Sequence, residues 1–171
     1  MPSRTLVSVD EYLHTSYRPD CDYVDGEIVE RNLGELDHSD LQGAIYARLH
    51  SLRSVLRIHA FLELRVQVAR TRFRIPDICV VAGKKPSEQI LTKPPLVCIE
   101  ILSKDDRMAK VQERIDDYLK FGVRYVWVVD PRTRRAWVYT KGGRHESKDG
   151  ILRTENPSIE LPLPEIFQAL E

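Results

Sequence analysis

Two apolar runs decide the fold of this chain: IPDICVVA at residues 75–82 and LVCIEIL at residues 96–102. Their short length and β-branched residues are typical of buried strands, and Pro76 fits poorly inside a helix. Each run carries one carboxylate among apolar neighbours, Asp77 in the first and Glu100 in the second. The sequence therefore predicts two core strands, each of which brings an acid into an apolar setting.

The N-terminal part of the chain predicts two helices, a hairpin and strand structure. SVDE at residues 8–11 is a capping box that opens a short helix, and SDLQ at residues 39–42 opens a longer one. An Asp-Gly pair at residues 25–26, flanked by apolar residues, is a strong signal for a tight hairpin. Residues 60–69 (AFLELRVQVA) have the alternation of strands rather than the spacing of a helix.

The C-terminal part predicts a helix followed by paired strands. Apolar residues recur at helical spacing over residues 108–119, and Gly122 stands where a helix C-terminal glycine is expected. YVWVV at residues 125–129 and AWVYT at residues 136–140 flank a turn and predict two partner strands. No repeat or linker divides the chain, so residues 1–171 are predicted to form one mixed α/β domain with a single central sheet.

Composition restricts the class of protein. The 171 residues include 26 Lys+Arg and 26 Asp+Glu, and this zero formal net charge excludes a strongly basic coat protein or an acidic tail protein. No apolar run approaches the ~20 residues of a membrane span, and the N-terminus lacks a signal-peptide core. Three cysteines without C-x-x-C spacing predict reduced core thiols. We expect a soluble, cytoplasmic protein that does not associate with membranes.

The two strand acids are the most informative residues. Glu100 shares a strand face with Cys98 and Leu102, and an isolated buried carboxylate must be paired, protonated or bound to a metal. If the two strands are neighbours, Asp77 and Glu100 meet side by side. A divalent cation that prefers oxygen ligands, Mg²⁺ first, then removes their repulsion. The alternative is that Glu100 pairs with an arginine and that Asp77 caps a turn at the strand entrance.

These residues invite a family resemblance. Pro76-Asp77 followed by Glu100-Ile101-Leu102 looks like the PD-(D/E)XK nuclease signature, with Leu102 where the lysine of that signature belongs. A wider set of motifs, in order between about residues 8 and 168, resembles the Uma-type restriction endonuclease family of bacteria, a branch of that superfamily. The motifs are YVDGE (23–27), RIPD (74–77), VCIEILS (97–103), R-x-x-x-Y-x-x-x-G-V (114–123) and WVVDP (127–131).

The resemblance implies a fold, a cofactor and a reaction. The fold is a restriction-endonuclease-like core, a central mixed β-sheet flanked by helices, with an N-terminal hairpin. The cofactor is Mg²⁺, for which Mn²⁺ substitutes, and the implied metal ligands are Asp77, Glu100 and the backbone carbonyl of Ile101. The implied reaction is endonucleolytic hydrolysis of DNA phosphodiester bonds, with Asp77 and Glu100 in the catalytic set.

The lysine missing from the signature has counterparts elsewhere. In the family this lysine moves to the following helix, where the present sequence has Arg114. Arginine keeps the positive charge that stabilises a reacting phosphate, but it does not accept a proton. Lys104, just past the strand, is the second choice for this catalytic role, and Lys110 also lies nearby. For each lysine, the alternative is an ordinary solvated charge.

Glu27 and His38 also match positions of the family. Glu27 follows the Asp-Gly turn and is predicted to add a third catalytic acid or to hold a metal-bound water. The alternative for Glu27 is an exposed strand residue beside the hairpin. His38 lies before the predicted long helix, where a role in helix entry is the alternative to a catalytic role.

A nuclease also needs a positive surface, because phosphate contacts supply most non-specific affinity. Residues 65–74 carry four arginines and no acid, and these are the predicted DNA contacts: Arg65, Arg70, Arg72 and Arg74. Residues 131–148 form a second basic stretch. A homodimer is predicted, because cutting both strands needs two sites and the hairpin Tyr125–Tyr139 offers a sheet edge.

Three functions of different classes are therefore open. The leading one is a Mg²⁺-dependent DNA endonuclease. The second is a catalytically impaired nuclease fold that acts as a DNA-binding or assembly module, which Leu102 and Arg114 favour. The third is a protein unrelated to nucleic acids, in which the strand acids only form internal ion pairs.

Overall fold

The computed structural model describes residues 5–32 and 34–171. The helices formed within these ranges are α1 (Val9–His14), α2 (Leu36–Ser51), α3 (Arg53–Leu56), α4 (Met108–Phe121) and α5 (Leu163–Phe167). The strands are β1 (Asp22–Val24), β2 (Glu27–Val29), β3 (Ile58–Leu62), β4 (Val66–Ala69), β5 (Arg72–Arg74), β6 (Ile78–Ala82), β7 (Val97–Ile101), β8 (Tyr125–Asp130), β9 (Arg135–Thr140), β10 (Gly143–Glu146), β11 (Ile151–Arg153) and β12 (Glu160–Pro162).

The centre of the fold is a six-stranded mixed sheet with the strand order β10-β9-β8-β7-β6-β3. Strands β7 and β8 run parallel, and the other neighbours run antiparallel. A parallel pair needs a crossover connection, which α4 supplies. The two predicted core strands, β6 and β7, are direct neighbours inside this sheet, and the prediction of a mixed central sheet is confirmed. It is not a single sheet, because a four-stranded and a two-stranded sheet accompany it.

Alternate residues of the central strands feed two separate cores. On one face, Ile99 and Trp127 pack with the buried side chains of α2. On the opposite face, Cys98 and Val128 pack with those of α4. The two helices therefore flank the sheet. Glu100 is two residues from Cys98 and belongs to the face that α4 covers.

Two of the N-terminal predictions, the cap of the first helix and the tight hairpin, are borne out. The Ser8 side chain accepts a hydrogen bond from the Glu11 backbone N–H and caps α1. Asp25 and Gly26 have φ angles of 49° and 96° and join β1 to β2, as an Asp-Gly hairpin turn requires. These strands belong to a second sheet with the order β2-β1-β5-β4, which lies beside the central one.

Residues 60–69 form strand structure, but they divide between the two sheets. Strand β3 pairs with β6 in the central sheet, whereas β4 pairs with β5 in the smaller one. The break lies near Glu63, whose φ of 47° is in the left-handed region. The chain therefore crosses from the central sheet to the smaller one at this point, and it returns to the central sheet after β5, with Asp77 directly before β6.

The predicted start of the second helix at Ser39 is wrong. Helix α2 begins at Leu36, and Glu35 is the N-cap residue. The Ser39 backbone N–H already donates to the Glu35 carbonyl inside the first turn. Gln42, the other half of the supposed capping box, donates its side-chain amide to the Asp77 carbonyl at 3.0 Å instead. A tertiary contact replaces the local cap.

The hairpin Tyr125–Tyr139 is not a free sheet edge, contrary to the argument for a homodimer. Strand β8 pairs with β7 and strand β9 pairs with β10, so both sides of the hairpin are occupied. The predicted dimer therefore loses this support and stays a prediction. The three cysteines are free and buried, as predicted. Along residues 5–32 and 34–171, none of the helices has the length and apolarity to cross a membrane.

Candidate active site

Asp77 and Glu100 lie opposite each other, where β6 begins and β7 ends. The register pairs Ile78 with Ile99, and one further step along the antiparallel strands brings Asp77 opposite Glu100. Opposite residues of such a pair point to the same face. Each of the two acids is 4% exposed, and both line one cavity of 560 Å³. The structure therefore brings the two acids together.

The wall of this cavity is rich in charge. Nine carboxylates and five lysine or arginine side chains line it, together with His38. The excess of acids attracts cations, and a phosphate enters only if positive charge compensates it. Four residues predicted from the sequence to be catalytic line the cavity: Glu27, Asp77, Glu100 and Arg114.

Both oxygens of Asp77 have partners. Oδ1 accepts a hydrogen bond from Arg31 Nη2 at 3.0 Å and lies 3.2 Å from His38 Nε2. Oδ2 accepts one from the Ile101 backbone N–H at 2.7 Å. The last bond ties Asp77 to the end of β7 and fixes one oxygen, while the other oxygen faces the Arg31 guanidinium and the His38 ring.

The partners of Glu100 come from α4. Oε1 accepts a hydrogen bond from the Tyr118 hydroxyl at 2.7 Å. Oε2 lies 3.2 Å from Arg114 Nε, and Arg114 also reaches Asp106 at 3.4 Å. Among the described residues Arg114 Nε has no partner with hydrogen-bond geometry, so its link to Glu100 is an ion pair only. Helical spacing explains the arrangement, since residues 114 and 118 are one turn apart on one face.

Burial and neighbouring charges shift the pKa values of Glu100, Arg114 and Tyr118. It raises the pKa of Glu100 to about 7, an effect that the Arg114 guanidinium opposes and the Asp77 charge reinforces. The Glu100 charge in turn raises the pKa of Arg114, which therefore stays positively charged. Burial also raises the pKa of Tyr118 well above its usual value, so the hydroxyl stays protonated and donates.

The pKa of His38 is raised above that of a free histidine. Burial lowers the pKa of His38, but the hydrogen bond to Asp77 and the Asp77 charge outweigh burial, and the net pKa is raised. His38 lies in the first turns of α2 and its side chain reaches the site. The main contact of the His38 side chain is therefore with Asp77, and not with the start of the helix.

The remaining predicted site residues differ in their placement. Ile101 lines the cavity and donates its N–H to Asp77. Glu27 is half-buried on the cavity wall. Lys110 also lines the cavity and pairs with Glu113 at 3.4 Å. The Lys104 side chain is 67% exposed and lies 3.6 Å from Glu35, so its charge is directed to α2.

The four predicted DNA-contacting arginines do not form one surface. Arg74 is buried and bonds to Asp22 and Asp117, and Arg72 also bonds to Asp117. Arg65 donates two hydrogen bonds to Asp20, at 2.6 and 2.7 Å, and stacks over the Tyr12 ring. Arg70 is exposed. Three of the four arginines are therefore engaged in internal ion pairs. Those of Arg72 and Arg74 join the smaller sheet to α4, whereas Arg65 reaches α1 through the Tyr12 ring.

Sequence reasoning missed the role of Arg31 and gave Tyr118 no role of its own. Arg31 follows β2 in a segment without periodicity, so no local pattern marks it as part of the site. Tyr118 belongs to the apolar stripe of α4, and a stripe position one turn after Arg114 is a usable signal. Gln42 was assigned to a cap, although its amide supports Asp77 from α2.

The residues suit a small hard cation in their chemistry and placement. Asp77 and Glu100 offer carboxylate oxygens on one face of the sheet, and Mg²⁺ binds through one or two carboxylates while it keeps several waters. Within the described ranges no cluster of three or more His, Cys, Asp or Glu side chains is arranged as a ligand set. A cation here would therefore be held by two carboxylates, backbone and water, and it would compete with Arg31 and Arg114.

Comparison with known proteins defines the class first. The fold matches a crystal structure described as "a putative nuclease belonging to DUF820" from Anabaena variabilis ATCC 29413, with a TM-score of 0.85. Sequence identity is 24%, and the match covers 96% of this chain and 99% of that chain. A TM-score of 0.85 at this level of identity shows that the two chains share a fold. A search of curated proteins gives no match.

The family follows from the sequence itself. The model of the Uma2 family, described as "Putative restriction endonuclease", matches residues 9–171. The chain belongs to the Uma2 family. The resemblance drawn from the ordered motifs is thereby confirmed, and it covers nearly the whole chain.

Proposed function

We propose that the protein is a Mg²⁺-dependent DNA endonuclease whose site is the cavity around Asp77 and Glu100. The observation that carries the proposal is the pairing of these acids across β6 and β7, with Arg114 at 3.2 Å from Glu100. Membership of a family described as restriction endonucleases supports phosphodiester hydrolysis as the reaction. The acidic excess of the cavity supports a divalent cation, because a bare phosphate would be repelled.

Asp77, Glu100 and the Ile101 carbonyl are the proposed metal ligands. Bound Mg²⁺ would supply Lewis acidity, which orients and acidifies an attacking water and neutralises phosphate oxygens. The Ile101 N–H and the Tyr118 hydroxyl hold one oxygen of Asp77 and of Glu100, respectively, so that each carboxylate keeps its orientation. Fixed ligand orientation is what such a site requires of its supporting residues.

Arg114 is the proposed group that stabilises negative charge on the reacting phosphate. It is held near Glu100 and Asp106, and its raised pKa keeps it positively charged. It does not replace a lysine as a proton acceptor. Lys110 lines the cavity and fits that role by position better than Lys104, which pairs with Glu35.

Cleavage of supercoiled plasmid DNA with Mg²⁺ tests the proposal. Wild-type protein is expected to nick or linearise the plasmid, and Asp77→Asn and Glu100→Gln are expected to abolish cleavage. Glu160→Gln is a matched control, because Glu160 is an exposed acid on β12 that pairs with Arg153. Equal activity of the wild type and the two site variants would refute the assignment of this cavity.

A second candidate function is a nuclease fold that binds DNA without cutting it. It is favoured by Leu102, which fills the lysine position of the signature and is only 5% exposed in the apolar core. Retention of duplex DNA, with no cleavage under Mg²⁺ or Mn²⁺, would support this alternative. Cleavage by the wild type that depends on Asp77 would exclude it.

A further inference from the structure

The segment between the hairpin and α2 sends one arginine into the site. Arg31 follows β2, and its side chain is 17% exposed. Its Nη2 donates to Asp77 Oδ1 at 3.0 Å, and its Nη1 lies 3.8 Å from Glu63 Oε2. The Arg31 guanidinium therefore pairs with Oδ1, the Asp77 oxygen that does not accept the Ile101 N–H.

The Asp77 oxygens are not equivalent. Oδ2 is held by the Ile101 N–H, a backbone group that stays in place as long as β7 does. Oδ1 faces Arg31 and His38, both of which are side chains that can rotate away. A cation that binds Asp77 without disturbing the sheet therefore approaches through Oδ1, and it meets Arg31 there.

The charge of Arg31 is permanent. Burial lowers the pKa of Arg31, but the charges of Asp77, Glu100 and Glu63 outweigh burial and raise it. Arg31 therefore does not separate from Asp77 by losing a proton. It separates only if its side chain rotates away.

The backbone next to Arg31 is anchored independently. The side-chain amide of Asn32 donates to Ser103 Oγ at 3.1 Å and to Asp106 Oδ1 at 3.2 Å. These bonds join the segment to the loop after β7, so the Arg31 side chain is able to swing while its backbone stays. The cavity of 560 Å³ provides room for that movement.

We propose that Arg31 is a metal-competing residue: an internal cation that neutralises Asp77 and that a divalent cation must displace from Oδ1. This inference rests on the proposed function, because it takes Asp77 as a metal ligand. In this role Arg31 weakens divalent-cation binding, and it also holds Asp77 against the repulsion of Glu100 when no metal is bound. The site thereby binds a divalent cation only when the concentration of the free cation is high enough to displace Arg31 from Asp77.

Titration of Mn²⁺ followed by electron paramagnetic resonance tests the competition directly and does not require activity. Arg31→Met is expected to bind Mn²⁺ about tenfold more tightly than wild type, the scale of one charge-assisted hydrogen bond. Arg31→Lys, which keeps the charge, is expected to stay near wild type. Circular dichroism and thermal unfolding check that each variant is folded.

Arg65→Met is the matched control. Arg65 is 14% exposed and is paired with Asp20 outside the cavity, and its loss is expected to leave Mn²⁺ affinity unchanged. If folded Arg31→Met binds Mn²⁺ no better than wild type, or if Arg65→Met shows the same gain, the inference about Arg31 is overturned.

The outcome for Asp77→Asn separates this inference from the proposed function. Loss of Mn²⁺ binding in Asp77→Asn, with unchanged affinity in Arg31→Met, overturns the role of Arg31 and leaves the proposed metal site standing. Full Mn²⁺ binding by Asp77→Asn overturns the metal site, and with it the competition.

Discussion

Replacement of Glu100 by glutamine is expected to stabilise the folded protein at pH 8 and to leave its stability nearly unchanged at pH 4.5. Glu100 is 4% exposed, and its Oε1 accepts the Tyr118 hydroxyl at 2.7 Å. Glutamine keeps an oxygen that accepts this bond, replaces the other carboxyl oxygen by an NH2 group and cannot ionise. The variant therefore reports how much the ionised carboxylate of Glu100 destabilises the folded protein.

The magnitude follows from the pKa. Burial raises the pKa of Glu100 from 4.5 to about 7 in the folded protein, despite the opposing charge of Arg114. Between these values the unfolded chain loses the proton while the folded protein keeps it. Stability therefore falls by about 1.4 kcal/mol for each pH unit and reaches a deficit of about 3 kcal/mol above pH 7. Below pH 4.5 Glu100 is protonated in both states, and the deficit is absent.

Urea unfolding of wild type and Glu100→Gln between pH 4.5 and pH 8 measures this difference. The gain in unfolding free energy should grow with pH and level off above pH 7. Glu113→Gln is the control with opposite sign: burial raises the pKa of Glu113, but Arg74 and Lys110 outweigh it, and the net pKa is lowered. A gain for Glu100→Gln that does not change with pH would refute the reasoning.

Three further variants test the surroundings of the site. Arg74→Met should cost about 3–5 kcal/mol in urea unfolding, because it leaves buried Asp22 without its ion-pair partner and Asp117 paired with Arg72 alone. Arg70→Met at an exposed position should change stability by less than about 0.5 kcal/mol. Tyr118→Phe removes the hydroxyl bond to Glu100 and should weaken Mn²⁺ binding roughly tenfold in calorimetry, and unchanged affinity would contradict a positioning role. Arg114→Lys introduces the missing amine and should increase plasmid nicking; a decrease would show that the guanidinium itself is needed.

Sequence reasoning succeeded where the signal is local. The Asp-Gly turn, the Ser8 cap and the C-terminal glycine of α4 each depend on a few adjacent residues, and each is found as predicted. The predicted start of α2 was wrong, because the Gln42 side chain donates its hydrogen bond to the Asp77 carbonyl and does not cap the helix. Sequence reasoning also missed β10, whose residues Gly143–Glu146 form an exposed edge strand without an apolar face.

In the candidate site, too, some residues could be predicted from the sequence and others could not. Two acids inside apolar strands are visible in sequence because they break a pattern, and pairing of adjacent strands then brings them together. Ion pairs between distant segments leave no such mark. Arg74 pairs with Asp22 and Asp117, each more than 40 positions away in the chain, so a basic stretch in the sequence is paired with acids in the structure.

The positive charge beside Glu100 comes from α4 and not from β7, and the packing around Leu102 explains why. Leu102, which fills the lysine position of the nuclease signature, packs with Val66 and Val111 in the core that α4 covers. A lysine there would bury an ammonium among apolar side chains, which is costly unless it is paired. Arg114 on α4 brings its charge to Glu100 from above the sheet and leaves that core intact. The fold therefore separates the two tasks of the E-x-K strand: β7 keeps the acid and the packing, and α4 provides the cation.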